Sequence, residues 1–110
     1  MSKKPESKFG LTDRDINTIH SIFSKYPEVQ EVHIFGSRAK GIQKPGSDID
    51  LAIMNPGVNE MIVTKLLSDF EESSLPYKID LIYFPALKQL EFIGHIKRIG
   101  IPFYFVTKSL

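Results

Sequence analysis

The sequence predicts an α/β (α+β) fold: a small mixed β-sheet of three core strands and one edge strand, flanked by helices. Three observations carry this prediction. Short β-type apolar runs alternate along the chain with stretches of helical period. The second and third strands are separated by a full-length helix, the connection that parallel neighbours need. The first and second strands are separated by too little chain for that crossover and are expected to be antiparallel.

The elements follow in order. Thr12-Asp13-Arg14-Asp15 resembles a capping box with Asp in place of Glu. Ile16, Ile19, His20 and Phe23 continue it at helical spacing, and the helix should end near Tyr26, ahead of Pro27. In the first strand, Glu31 to Phe35, Val32 and Ile34 face one way and His33 and Phe35 the other. Gly36-Ser37 turns the chain, with Ser37 as cap of a short helix over Arg38 to Lys40. After the loop around Pro45-Gly46 comes a second strand, Asp48 to Met54. Asn59 caps a helix whose stripe is Ile62, Val63, Leu66, Leu67 and Phe70. Tyr77 to Phe84 is the third strand. A helix is expected from Pro85, carrying Leu87, Leu90, Phe92, Ile93, Ile96 and Ile99, with Gly100 as its stop. Ile101 to Val106 is the last strand, and Pro102 puts it at an edge.

The 110 residues suit one domain, expected over residues 11–110 behind a flexible tail, residues 1–10. The tail is lysine-rich but has no apolar core, so it does not read as a signal peptide. No run approaches the roughly 20 apolar residues of a membrane span. The absence of cysteine excludes disulfides and thiolate metal sites and fits a cytoplasmic protein. A net charge of +1 gives no indication of nucleic-acid binding.

The chemistry gathers in two stretches, Phe35-Gly36-Ser37-Arg38-Ala39-Lys40-Gly41 and Ser47-Asp48-Ile49-Asp50-Leu51-Ala52-Ile53. Side chains alternate along a strand, so Asp48 and Asp50 share a face, roughly 6–7 Å apart along the backbone. Two carboxylates so placed repel when both ionise, and a cation between them relieves this. Mg²⁺ suits the pair, since it prefers a few carboxylates with substrate phosphates and water. Asp80 is the one carboxylate in the core of the third strand, and on a strand adjacent to the second it can face the pair. Two ions about 4 Å apart clamp an in-line phosphoryl displacement. Gly36 admits a close ligand, and the Ser37 hydroxyl can donate to phosphate. Gly36, Ser37 and Arg38 form the expected nucleotide-binding set, with Lys40 and Lys44 as neighbouring cations not ranked against Arg38.

Together these residues resemble the DNA polymerase β-like nucleotidyltransferase superfamily: Gly-Ser, ten residues (Arg38 through Ser47), then Asp-x-Asp. The finer likeness is to the minimal nucleotidyltransferases (MNT) of prokaryotes, from about Leu11 to Tyr104, through the two stretches above and Lys78-Ile79-Asp80-Leu81-Ile82. The resemblance implies a nucleotidyltransferase fold and Mg²⁺-dependent transfer of a nucleoside monophosphate, AMP from ATP, to an acceptor. It implies that Asp48 and Asp50 bind two metal ions, that Asp80 completes the catalytic site, and that Gly36 and Ser37 hold the triphosphate. It also implies a separate helical partner of the HEPN type, with this chain as antitoxin or catalytic subunit.

Two other readings stay open at this point. One is a non-catalytic nucleotide-binding subunit that neutralises a partner by covering it. The other is a metal-dependent phosphohydrolase, with water as acceptor. His20, His33 and His95 lie on different elements without ligand spacing and read as boundary histidines. Phe103, Tyr104 and Phe105 read as edge-strand core.

Overall fold

We describe the protein from a computed structural model over residues 8–107. The helix α1, Asp13–Ser24, starts on the expected box: the Asp15 amide donates to Thr12 Oγ1 at 3.0 Å and the Thr12 amide to Asp15 Oδ2 at 3.1 Å. Aspartate is therefore long enough to serve where glutamate is usual. The helix closes one turn before Pro27, with the Tyr26 amide reaching back to the Phe23 carbonyl at 3.0 Å.

Strands β1 (Glu31–Phe35), β2 (Ile49–Ile53), β3 (Ile79–Tyr83) and β4 (Ile101–Phe105) form one sheet in the order β3-β2-β1-β4. β1 pairs antiparallel with β2 and β4, and β2 pairs parallel with β3, so the sheet is mixed as the connection lengths predict. Pro102 sits in β4, an edge strand, where its missing N–H costs no interior ladder bond. Asp48 falls just outside β2, although the sequence reading begins that strand with it.

The sheet has two unlike faces. Val32, Ile34, Ile49, Leu51, Ile53 and Ile79 pack beneath α1 and the helix α3, Glu60–Glu72, in the main core. The Asn59 side chain caps α3 by accepting from the Ile62 amide at 2.9 Å. The other face is thinner. There Phe35 and Ala52 pack with Ile96 of the helix α4, Leu90–Ile99, and the Phe35 and Phe92 rings meet edge-on at 5.8 Å.

Two helix starts differ from the sequence reading. The short helix α2, Gly36–Lys40, begins two residues early, so Phe35 takes the cap position without a side-chain bond and Ser37 lies inside the helix. The last helix does not start at Pro85. Phe84–Ala86 form a single 3₁₀ turn, Leu87 is extended and packs into the second cluster, and α4 begins only at Leu90. Burying Leu87 against the sheet breaks what would otherwise be one continuous helix. Gly100 ends α4 without a left-handed turn (φ −61°). Its lack of a side chain matters for another reason: a Cβ would stand 2.5 Å from the Ile96 carbonyl oxygen.

Residues 1–7 of the expected tail lie outside the described residues, but residues 8–10 belong to the fold. The Leu11 amide donates to the Lys8 carbonyl at 2.9 Å, closing a hook with Phe9 at φ 60° and Gly10 at φ 72°. The Phe9 ring lies 6.0 Å from Phe103, and Leu11 is fully buried. No helix among the described residues is long and apolar enough to cross a membrane.

Thr12→Ala removes one half of the capping box outright. Urea unfolding should show a loss of about 1 kcal/mol with an unchanged denaturant slope.

Candidate active site

The site is built by strand register. Phe35 of β1 lies opposite Asp50 of β2, and Asp50 lies beside Asp80 of β3. The three residues form one row across the sheet, on the face that α4 only partly covers. Paired residues on adjacent strands project to the same side, so the two carboxylates are neighbours by construction. Asp48 precedes the row by two residues and remains exposed.

Crowding leaves a signature in Asp50. Burial, the charges of Asp80 and Asp48, and a hydrogen bond with Asp80 together push its carboxyl up to about 6, against a weaker opposing pull from Arg38. An unneutralised row thus holds its proton to a pH well above that of an ordinary carboxyl. Among the described residues no three carboxylate or imidazole groups converge closely enough to cage an ion by themselves. The donor set is nonetheless all oxygen, half-open and short of positive charge. It fits a hard divalent cation that takes its remaining ligands from water and phosphate.

The Gly-Ser turn meets the row at one point. β1 ends at Phe35, so Gly36 emerges directly against Asp50. It has φ 75°, and a Cβ there would overlap the Asp50 carboxylate. Glycine is required twice, by its backbone angle and by this contact. Ser37 follows as the next residue, partly exposed beside the row. Gly41, at φ 75°, closes α2, its amide donating to the Arg38 carbonyl at 3.3 Å.

Arg38, expected on the nucleotide, is placed otherwise. It is 2% exposed. Its Nη1 donates to the Phe9 carbonyl at 2.8 Å and its Nη2 to the Ser47 carbonyl at 2.7 Å. Nε is shared between the Ser47 and Asp48 carbonyls at 3.2 and 3.3 Å. The guanidinium also lies 4.6 Å over the Tyr77 ring. Lys40 and Lys44, by contrast, are exposed. Sequence reasoning did not single out Tyr77, Phe9 or the Ser47 carbonyl, because nothing in their spacing marks them as partners of Arg38.

Two of the histidines find their partners outside the row. His20 contacts the Phe103 carbonyl at 2.8 Å and stacks edge-on against Phe103 and Tyr104, while His33 contacts Glu31 at 2.7 Å. Phe103 is core as expected, but Phe105 is exposed.

Residues 17–105, which take in all four strands and Asp48, Asp50 and Asp80, match the family Polymerase beta, Nucleotidyltransferase, and the chain belongs to that family. Among individual proteins, the probable protein adenylyltransferase MntA of Haemophilus influenzae is 30% identical over 77 residues, covering 69% of this chain and 68% of the relative. A crystal structure of a toxin-antitoxin with AMP-PNP superimposes with a TM-score of 0.67 at 22% identity, covering 83% of this chain and 73% of that one. A tri-AMPylated Shewanella oneidensis HEPN toxin in complex with MNT antitoxin gives a TM-score of 0.61 at 18% identity, over 84% and 71% of the two chains. At these identities the structural matches establish the fold.

Two measurements check the site. Asp50 ionises at a higher pH in the folded chain than its ordinary 3.8, so its charge opposes folding. That penalty is absent below about pH 4, grows as pH rises, and is complete above about 6. The metal-free Asp50→Asn protein should therefore match the parent near pH 3.5 and exceed it by about 1 kcal/mol near pH 8, a figure already reduced for solvent screening. Gly36→Ala should cost about 1–3 kcal/mol in denaturant unfolding through its backbone angle and its collision with Asp50.

Proposed function

We propose that this chain is an Mg²⁺-dependent nucleotidyltransferase that moves AMP from ATP to an acceptor carried by a separate HEPN-type protein, in the manner of an antitoxin. The observation that carries this reading is the contact of Gly36 with Asp50 inside the row that ends at Asp80. It sets the Gly-Ser turn against a carboxylate pair on one sheet face. The description of the Haemophilus influenzae relative as a probable protein adenylyltransferase supports a protein acceptor. The AMPylated toxin bound to the like-folded Shewanella oneidensis antitoxin supports AMP as the group and HEPN as the partner.

In this reading Asp48 and Asp50 hold the metal, Asp80 completes its ligands, and Gly36 and Ser37 hold the triphosphate. Mg²⁺, when bound, neutralises the carboxylate row and the phosphate charge, and two ions suit in-line displacement. The acceptor oxygen forms a bond to the α-phosphorus while the bond from that phosphorus to the bridging oxygen breaks. Pyrophosphate departs with the electron pair. The acceptor's proton passes to the Asp80 carboxylate, the neighbour of Asp50 on β3. ATP, free Mg²⁺ and the absence of cysteine all favour the cytoplasm as its compartment.

The test uses ATP labelled at the α-phosphate, Mg²⁺ and the protein encoded by the adjacent gene. Label should reach that protein, and Asp48→Asn should slow transfer by about a hundredfold or more, in line with loss of a metal ligand. Label appearing only as free AMP would indicate a phosphohydrolase. Neutralisation of the partner that survives Asp80→Asn, without labelling, would indicate a subunit that acts by binding alone.

A further inference from the structure

Arg38 is the one charged side chain buried among the described residues. No carboxylate among those residues forms an ion pair with it. An isolated buried charge is costly unless its donors are satisfied. Here they are met by the carbonyls of Phe9, Ser47 and Asp48 and by the face of Tyr77. A phosphate ligand needs a guanidinium that can reach solvent, and this one cannot.

Its partners reveal what it does. Asp48 lies outside the β-ladder, because β2 begins at Ile49 and the last β1 pair is Phe35 with Asp50. The Ile49 amide is tied to the Lys78 carbonyl at 2.9 Å, but one residue earlier the main chain is held through Arg38. Arg38 also follows Ser37 directly in α2. The fork therefore spans the interval between the Gly-Ser turn and Asp-x-Asp and fastens the far end of that loop to the near end. Its third attachment, Phe9, brings in the amino-terminal hook. Gly10 has φ 72°, which favours glycine, and a Cβ there would press on Nη1 at 3.0 Å and on the Gln43 side-chain nitrogen at 2.5 Å.

We propose that Arg38 is a positioning residue: buried beneath the loop, it sets the main chain at Asp48 so that this carboxylate stands beside Asp50 for metal binding, and it does not touch the nucleotide. The inference rests on the proposed metal role of Asp48 and Asp50. The planar fork donates from three separate nitrogens, Nε, Nη1 and Nη2, whereas an ammonium gathers its donors on one freely rotating nitrogen. Arg38→Lys keeps the charge and loses the geometry.

Mn²⁺ serves as the probe, titrated by paramagnetic resonance well below the unfolding temperature of each protein. Arg38→Lys should bind Mn²⁺ at least about tenfold more weakly than the parent, the usual cost of losing a group that orients a ligand. At saturating Mn²⁺ its affinity for ATP should return to within about twofold of the parent. A merely structural role would lower the melting temperature and leave Mn²⁺ affinity in the folded protein unchanged, which would overturn the proposal. A deficit in ATP affinity that excess Mn²⁺ does not repair would also overturn it, by making Arg38 a phosphate contact. If the parent itself binds no Mn²⁺, the metal-dependent function fails first, a distinct result that removes the proposal with it. Should Arg38→Lys not fold, Tyr77→Leu loosens the guanidinium without changing any charge. Weaker Mn²⁺ binding by that variant supports the positioning role, and unchanged binding overturns it.

Discussion

Asp50 and Asp80 stand side by side because parallel pairing of β2 with β3 leaves them no other place. Their mutual repulsion, sharpened by partial burial, is the constraint around which this end of the molecule is arranged. Gly36 has no side chain because the Asp50 carboxylate occupies that space. α4 stops short of covering the face, since a complete apolar lid would strand two charges without water. The row is a place where the fold accepts a local cost, and such places are where function is found in otherwise consistent structures.

Around that row the division of labour between the faces is plain. The face under α1 and α3 carries the branched aliphatic residues of β1, β2 and β3 and supplies most of the buried apolar surface. The opposite face holds a smaller cluster centred on Phe35, Ala52 and Ile96. Stability and chemistry are thus assigned to alternate residues of the same strands. Ile49, Leu51 and Ile53 belong to the first, and Asp50 to the second, within one five-residue strand.

Much of this was legible in the sequence. Period-two alternation in Glu31 to Phe35 and Asp48 to Met54 identified both strands and their inward faces, and connection length alone identified the mixed pairing. What stayed hidden involved contacts between residues far apart in the chain. Nothing local distinguishes an Arg38 that reaches phosphate from one that turns inward to Phe9, Ser47 and Tyr77, because the choice depends on where those carbonyls and that ring end up. The break at Leu87 was hidden for a similar reason. Ala86-Leu87-Lys88-Gln89 carries no helix-stopping residue, and the chain unwinds there because a leucine is drawn into the second cluster. The hook at Phe9 and Gly10 reads as polar tail until Phe103 arrives from the other end of the chain.

The alternation within β2 has a consequence for how the chain matures. A slip of one residue against β1 or β3 would turn Ile49, Leu51 and Ile53 outward and drive Asp50 under the helices. The error that disarms the site is therefore the same error that dismantles the core. A register-slipped copy therefore cannot keep the native core while losing the carboxylate row.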